Sequence, residues 1–257
     1  MRTNTTREKL ARGEVVFGGI VSGFAPEIVE LLGYIGYDFV FLDCEHGPMG
    51  YDQVEQMVRA AEAVNITPIA RIPDQEDSTI LRYLDRGVQG IIVPHVNTRE
   101  QAERITRAAR YYPEGHRGAA GGRAHEYNVH ASAVETRQWL NEQLLVIPMC
   151  EETEAVEHLD EILAVPGVDA VHCAASDLGQ SMGNAPLAEV RAVMRDVVGR
   201  VRAAGKHAGV GGSSPRDTQG VAELIEAGAN FITISALGLL RVGAEQFRAE
   251  VEAARKQ

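Results

Sequence analysis

The segment at residues 37–50, YDFVFLDCEHGPMG, places ionisable side chains directly after an apolar run. The run FVFL is typical of a buried strand, and a Gly-Pro pair then turns the chain. Because side chains alternate along a strand, Asp43 and Glu45 are expected on one face and Cys44 and His46 on the other. An aspartate three residues before a histidine can fold back to orient and charge-stabilise its imidazole. The alternative is a solvated strand end without a catalytic role.

Acidic residues follow two later apolar runs. Glu151 and Glu152 come directly after LLVIPMC, and Asp177 follows AVHCAAS. A Glu and an Asp that converge from adjacent strands make a two-carboxylate site for a hard divalent ion, with water completing the octahedron. The spacing therefore predicts a metal site at these two strand ends.

Arg71 ends the apolar run in ARIP. A guanidinium is costly to bury unless it meets an anion. Two interpretations stay open. Arg71 either holds a carboxylate or oxo-acid substrate, or it forms an internal ion pair with Asp43, Asp85 or Glu45.

A repeating strand and helix pattern must position these groups. Short apolar runs predict eight strands, at residues 15–21, 38–43, 68–72, 90–94, 144–149, 170–174, 207–211 and 231–235. Helical patterns predict helices at residues 26–32, 51–64, 78–86, 98–111, 153–164, 186–204, 215–227 and 243–256. This alternation predicts one (β/α)8 TIM barrel over residues 1–257, in preference to a doubly wound sheet, because no GxGxxG opens a helix after the first strand.

One long connection, at about residues 112–132, interrupts the pattern. Loops of this length in compact domains are commonly lids or binding loops, and its glycines suit a hinge. We therefore expect a lid-like loop here, with a solvated excursion as the alternative.

Composition excludes several classes of protein. The chain has 257 residues, 45% of them hydrophobic, and a formal net charge of −11. Nucleic acids and anionic membranes need a basic surface, so neither is expected as a partner. The N-terminal sequence has no signal-peptide core, and the three cysteines lack CxxC spacing. These features predict a cytoplasmic protein with reduced thiols.

The residues that carry these patterns resemble a known family. The stretches FVFLDCEHGPMGYDQV, ARIP, LRYLDRGVQGIIVPHVNTREQAERITRAARYYPEGHRG, GVDAV and SDLGQSMG together resemble the HpcH/HpaI family of class II metal-dependent 2-oxo-acid (pyruvate) aldolases. The similarity covers nearly the whole chain. It implies a barrel of the phosphoenolpyruvate/pyruvate superfamily type that assembles as a homo-hexamer, a trimer of dimers, with its C-terminal helix packed on a neighbouring subunit.

The resemblance also implies a reaction and a set of site residues. The reaction is reversible aldol cleavage of a 4-hydroxy-2-oxo acid to pyruvate, or a related 2-oxo acid, and an aldehyde, through a metal-stabilised enolate. The implied cofactor is Mg²⁺ or Mn²⁺, with Co²⁺ and Zn²⁺ as alternatives. The implied residues are Glu151 and Asp177 as metal ligands, Arg71 and the backbone N–H groups of Ser176 and Asp177 for the 2-oxo acid, and His46, supported by Asp43 and Asp85, as acid/base group.

The chain also departs from the family pattern. Met149 stands where the family usually has Gln, and Ala174, Ala175 and Ser176 replace Gly-Pro-Ala. Two rival functions remain: an acyl-CoA ester lyase of the same superfamily, which needs a basic nucleotide pocket, and a non-catalytic metal-binding barrel. Metal-dependent exchange of pyruvate methyl protons separates the aldolase from the non-catalytic barrel.

Overall fold

The computed structural model describes residues 2–256, and eight parallel strands form a closed barrel in chain order. The strands are β1 (Val16–Val21), β2 (Phe39–Asp43), β3 (Thr67–Arg71), β4 (Gly90–Val93), β5 (Leu145–Cys150), β6 (Ala170–Ala174), β7 (His207–Gly211) and β8 (Phe231–Ser235). Each lies on one of the predicted apolar runs. The predicted (β/α)8 barrel is confirmed.

Helices surround the barrel. They are α1 (Thr5–Ala11), α2 (Pro26–Tyr34), α3 (Tyr51–Ala63), α4 (Asp77–Asp85), α5 (Arg99–Ala109), α6 (Ala133–Gln143), α7 (Thr153–Glu157), α8 (Leu159–Leu163), α9 (Ala175–Ser181), α10 (Leu187–Ala203), α11 (Thr218–Glu226) and α12 (Ala236–Ala254), with a 3-10 helix (Arg123–Asn128) between α5 and α6. None of these helices combines the length and apolarity needed to cross a membrane. The sequence pattern did not predict α1, α6 or α9, because α1 and α9 are short and α6 buries only Thr136 and Asn141.

The strands are apolar because both of their faces are buried. Inward side chains fill the barrel, and the rings of Phe39 and Phe231 stack there with centroids 4.1 Å apart. Gly18 is required beside this stack, since a Cβ at that position would lie 2.0 Å from the Phe39 ring. Outward side chains pack against the helices in a second, larger core. The interior is therefore a packed core, and chemistry is restricted to the strand ends.

The N-terminal ends of the strands are closed by α1. Asn4, its N-cap, donates to the carbonyl of Gln89, which directly precedes β4, at 3.0 Å. Thr6 donates to the carbonyl of Asp38, directly before β2, at 3.0 Å. These contacts leave the C-terminal ends of the strands as the open face of the barrel.

The long connection at residues 112–132 begins where α5 ends, which places it at the N-terminal face. Its start folds back on α5, with the N–H of Arg117 donating to the carbonyl of Arg110 at 2.8 Å. His125 and Arg117 are buried within it. Within one chain, the segment expected to act as a lid therefore packs mainly at the end of the barrel opposite to the strand ends that carry Asp43 and Glu151. Its His116 reaches along α4, where Nε2 lies 2.9 Å from Oδ2 of Asp77, the first residue of that helix.

The last helix, α12, lies outside the core. None of its described residues is buried, and its apolar side chains Leu240 and Phe247 are 65% and 71% exposed. It begins at Ala236, earlier than predicted, directly after β8. Exposed apolar side chains also lie on and beside α2, at Leu31, Tyr34 and Ile35. The chain thus presents two unpaired apolar surfaces.

Candidate active site

Asp43 and Arg71 form a buried ion pair at the ends of β2 and β3. They are neighbours in the strand register. Arg71 Nε donates to Asp43 Oδ1 at 3.0 Å, and Arg71 Nη2 lies 2.9 Å from Asp43 Oδ2. Arg71 Nη1 also lies 3.2 Å from Glu45 Oε2. The internal ion pair considered as one role of Arg71 is therefore present, with Asp43 and Glu45 as its partners and not Asp85.

The environment of Asp43 favours its ionised form. Burial alone would raise the pKa of Asp43, but the hydrogen bond and charge of Arg71 outweigh it. The N–H of His46 and the hydroxyl of Ser22 donate to the same carboxylate at 3.2 and 3.1 Å. The resulting pKa lies below the usual aspartate value. Asp43 is thus a fixed negative charge that orients Arg71.

The loop after β2 turns tightly, which presents His46 to solvent. Gly47 is needed there because a Cβ would lie 2.3 Å from the carbonyl oxygen of Asp43. Asp43 contacts His46 through the backbone N–H, whereas the sequence predicted a contact with the imidazole. The residue is exposed, in the loop that follows the C-terminal end of β2.

Glu151 directly follows β5 and is buried, with 3% of its surface exposed. Its Oε1 accepts the backbone N–H of His95 at 2.9 Å. Burial raises the pKa of Glu151, the His95 N–H and charge oppose this, and the nearby negative charges of Glu45 and Asp177 raise it further. The net effect places the pKa of Glu151 above its usual value. The site therefore holds more negative charge than its own cations balance.

His95 joins the acidic residues, a role that sequence reasoning did not assign to it. Its Nδ1 lies 2.6 Å from Glu152 and 3.5 Å from Glu151, and its Nε2 lies 3.6 Å from Glu45. The hydrogen bond with Glu152 raises the pKa of His95, burial opposes this, and the three carboxylates raise it further. The sequence feature that could have indicated this role is the position of His95, two residues after β4.

The backbone of His95 is strained in a way typical of functional sites. Its φ is 56°, a left-handed conformation that is uncommon for histidine. Gln75 Nε2 holds this turn by donating to the carbonyls of Pro94 and His95 at 2.9 and 2.8 Å. The strained turn directs the His95 N–H at Glu151.

The predicted metal ligands Glu151 and Asp177 follow adjacent strands, and Asp177 lies close enough for its charge to act on Glu151. In residues 2–256, no group of three or more His, Cys, Asp or Glu side chains has a metal-binding arrangement. The predicted site needs only two carboxylates. A buried acid of raised pKa beside a second acid suits a hard divalent cation, whose charge would stabilise both ionised forms.

The structure does not bring Asp85 to His46. Asp85 is the last residue of α4, and a barrel helix runs antiparallel to the strand before it, so Asp85 lies at the N-terminal face. It accepts a hydrogen bond from Arg117 Nη2 at 2.8 Å. Within one chain, Asp85 therefore cannot support His46.

Other reactive groups near the strand ends are unsuited to catalysis. Burial raises the pKa of the Cys44 thiol to about 12, which leaves little thiolate at neutral pH. Burial lowers the pKa of His172 to about 3, so it stays neutral inside the barrel. Met149, which departs from the family pattern, is buried beside His172 in the strand register.

Comparison with known proteins identifies related sequences over almost the whole chain. A sequence model of the HpcH/HpaI aldolase/citrate lyase family matches residues 17–240. A hydroxypyruvate/pyruvate aldolase of Roseovarius nubinhibens is 34% identical over 238 residues, which cover 90% of each chain. A 4-hydroxy-2-oxovalerate aldolase of Novosphingobium aromaticivorans is 33% identical over 233 residues, 89% of this chain and 87% of the relative.

Solved structures agree with these matches. The crystal structure of an HpcH/HpaI aldolase/citrate lyase family protein from Burkholderia cenocepacia J2315 superposes with a TM-score of 0.89 at 29% identity, over 97% of this chain and 100% of that chain. The sequence similarity and the fold similarity therefore both extend over almost the whole chain.

Proposed function

Because the chain belongs to the HpcH/HpaI aldolase/citrate lyase family, we propose that it is a divalent-metal-dependent aldolase that reversibly cleaves a 4-hydroxy-2-oxo acid into a small 2-oxo acid and an aldehyde. The predicted enzyme class, an aldolase-type carbon–carbon lyase, is confirmed. Pyruvate and hydroxypyruvate are the first 2-oxo acids to test, since the name of one relative contains both. The observation that carries the proposal is the placement of Glu151 and the Asp43–Arg71 pair at the C-terminal ends of β5, β2 and β3, close enough for the charge of Glu151 to act on Arg71.

In this proposal, the chain's own groups bind the 2-oxo acid and move one proton. Arg71, held by Asp43, donates from its guanidinium to an oxygen of the 2-oxo acid. The backbone N–H groups of Ser176 and Asp177 bind its carboxylate. His46 takes the proton of the 4-hydroxyl in cleavage and returns it in condensation.

Glu151 and Asp177 would hold the divalent ion. When bound, such an ion polarises the keto oxygen of the substrate as a Lewis acid. No lysine offers an alternative Schiff base at a strand's C-terminal end: Lys206 directly precedes β7, and Lys9 and Lys256 lie far from the strand ends in sequence. His95 orients Glu151 through its backbone N–H, which leaves the other carboxylate oxygen available.

Proton exchange of pyruvate tests this function without knowledge of the aldehyde. Pyruvate in D₂O is followed by proton NMR with EDTA-treated protein, before and after addition of Mn²⁺ or Mg²⁺. We expect loss of the methyl signal only when the metal is present, and Glu151→Gln should abolish it. Full exchange by Glu151→Gln would refute the assignment of Glu151, and no exchange despite metal binding would favour the ester-lyase or non-catalytic alternatives.

We further propose that the enzyme works as an oligomer, with α12 covering an apolar surface of a neighbouring subunit. The exposed Leu240 and Phe247 of α12, and the exposed apolar residues at α2, support this. A role of Asp85 beside His46 then requires the neighbouring subunit, because Asp85 lies at the opposite face of its own barrel. The predicted hexamer and cytoplasmic location stay predictions.

Mixing two inactive variants tests the contribution from the neighbouring subunit. Asp85→Asn and Glu151→Gln chains are unfolded together, refolded and assayed. If Asp85 acts on the neighbouring site, about a quarter of the sites in a random equal mixture contain both native residues and recover activity. Full activity of Asp85→Asn alone would remove Asp85 from the mechanism, and a mixture without recovery would refute its action across subunits.

A further inference from the structure

A cleft of about 190 Å³ opens at the N-terminal face of the barrel. Its floor lies near the beginnings of β3, β4 and β5, at Pro68, Gln89 and Leu144. Its walls come from the 3-10 helix and α6. The cleft is therefore separated by the length of the barrel from Glu151, and the proposed reaction uses none of its lining residues.

Arg117 lines this cleft with an incompletely paired guanidinium. Its side chain is only 4% exposed, and Nη2 donates to Asp85 at 2.8 Å. The guanidinium carbon lies 4.7 Å from the centroid of the Tyr111 ring. These contacts leave the Nε–H group buried without a hydrogen-bond acceptor. Arg117 can therefore donate to an additional acceptor in the cleft.

A second lining arginine repeats this arrangement. Arg123 pairs through Nη2 with Glu62, while its Nε is buried without an acceptor. Further buried guanidinium N–H groups without a hydrogen-bond partner belong to Arg86 and Arg137, beside the same walls. Buried N–H donors without acceptors are rare in folded proteins because they are costly. Their chemical complement is an oxygen-rich anion.

The other lining residues restrict the kind of anion. The carboxylates of Glu62 and Glu126 also line the cleft, beside the three arginines Arg2, Arg117 and Arg123, and Asp85 pairs with Arg117 behind the lining. These charges balance formally. A site without a positive surplus suits a monoanion held by hydrogen bonds better than a polyanion. The indole of Trp139 and the side chains of Leu84, Val88 and Leu140 supply an apolar wall.

We propose that this cleft binds a small organic monocarboxylate. Its carboxylate accepts the Nε–H groups of Arg117 and Arg123, and its hydrocarbon part lies against Trp139. The cleft is smaller than the roughly 300–1,000 Å³ of sites for drug-sized ligands, which suits a compact acid. The site lies apart from the proposed reaction, and its one link to it is Arg117, the partner of Asp85.

Trp139 is the only tryptophan of the chain, so its fluorescence reports directly on the cleft. The metal-loaded full-length protein is titrated with butyrate, which lacks the 2-oxo group, and separately with inorganic phosphate. We expect a saturable change with butyrate, and binding at least tenfold weaker in Arg123→Gln. Arg117→Lys keeps the positive charge but lacks the Nε donor, and we expect it to weaken binding as well.

Two control variants separate this site from non-specific charge and from catalysis. Arg107→Gln removes an exposed arginine of α5 outside the cleft and should bind butyrate as the wild type does. Glu151→Gln should keep the butyrate response while it loses pyruvate exchange. The proposal is overturned if the fluorescence change with butyrate does not saturate, if phosphate binds as tightly as butyrate, or if Arg107→Gln weakens butyrate binding as much as Arg123→Gln does. It is also overturned if the fluorescence depends on protein concentration alone, which would mean that a second copy of the chain occupies the cleft.

Discussion

Replacing Glu151 with glutamine should increase the stability of the metal-free protein while abolishing its response to metal. The Glu151 carboxylate is 3% exposed and lies near the charges of Glu45 and Asp177, so its ionised form is unfavourable without a cation. Glutamine keeps an acceptor for the His95 N–H and removes the charge. Strained functional residues commonly lower stability in this way.

The expected gain for the metal-free variant is about 1 kcal/mol, within the range of substitutions that relieve strain at functional sites. It should depend on pH. An acid whose pKa is raised in the folded state stabilises that state below its unfolded pKa, near 4.5, and loses this contribution as pH rises through the folded value. The advantage of Glu151→Gln should therefore be absent at low pH and develop as the pH rises above about 4.5.

Urea unfolding at several pH values, with EDTA or with excess Mn²⁺, measures both effects. Mn²⁺ at 100 times its dissociation constant should stabilise the wild type by about 2.7 kcal/mol and leave Glu151→Gln unchanged, which reverses their order. Glu152→Gln is the matched control, because the Glu152 carboxylate is paired with His95 and Asn97 and its neutralisation should give no gain. A metal-free Glu151→Gln protein less stable than the wild type at neutral pH would refute this reasoning.

Substitutions at three further residues, Asp43, His95 and Arg71, test the same site. Asp43→Asn should lower the free energy of unfolding in urea by about 3–5 kcal/mol, since it leaves the Arg71 charge buried without its main partner. Asp217 pairs with Arg191 at a more exposed position, so Asp217→Asn should lower it by less than about 1 kcal/mol. Equal costs would contradict the ion-pair argument. The wild type should lose the Asp43 contribution as pH falls from 3.8 through its depressed pKa. His95→Gly should weaken Mn²⁺ binding about tenfold, as measured by electron paramagnetic resonance. His95→Asn should largely retain the affinity, because asparagine adopts positive φ and supplies a donor. If His95→Gly bound Mn²⁺ as tightly as the wild type, the His95 ring would have no role in positioning the metal. Arg71→Lys should lower kcat/KM about 100-fold in steady-state kinetics, and unchanged kinetics would leave Arg71 with a structural role only.

Much of the fold could be predicted because the residues of a buried strand are themselves apolar and can be recognised in the sequence. The runs FVFL and LLVIPMC are apolar on both faces, as barrel strands require, and most segments between such runs carry helical patterns. Helices with weak apolar periodicity were missed for the same reason. In α6 the two fully buried side chains, Thr136 and Asn141, are polar, so the helix has no apolar face to detect.

The strand-end acids were also predictable, since each follows its own apolar run. The role of His95 was not. A histidine two residues after a strand has no local signal that distinguishes a rim residue from one that holds a carboxylate. Its function depends on Gln75 and Glu151, which come from other segments of the chain. The spacing of residues along the chain does not indicate contacts between separate loops. These contacts are seen only in the folded barrel.

The direction of each segment relative to the barrel explains why the expected lid and Asp85 lie away from the strand ends. Spacing marks residues 112–132 as a long loop, but a loop that connects a helix to the next strand must lie at the N-terminal face. Asp85, as the last residue of α4, reaches the same face, where Arg117 holds it. In a barrel of alternating elements, strand-to-helix loops begin and end at the catalytic face, whereas helix-to-strand loops begin and end at the opposite face. If Asp85 and this loop act on catalysis, they must therefore act on a neighbouring subunit, which the mixing experiment measures.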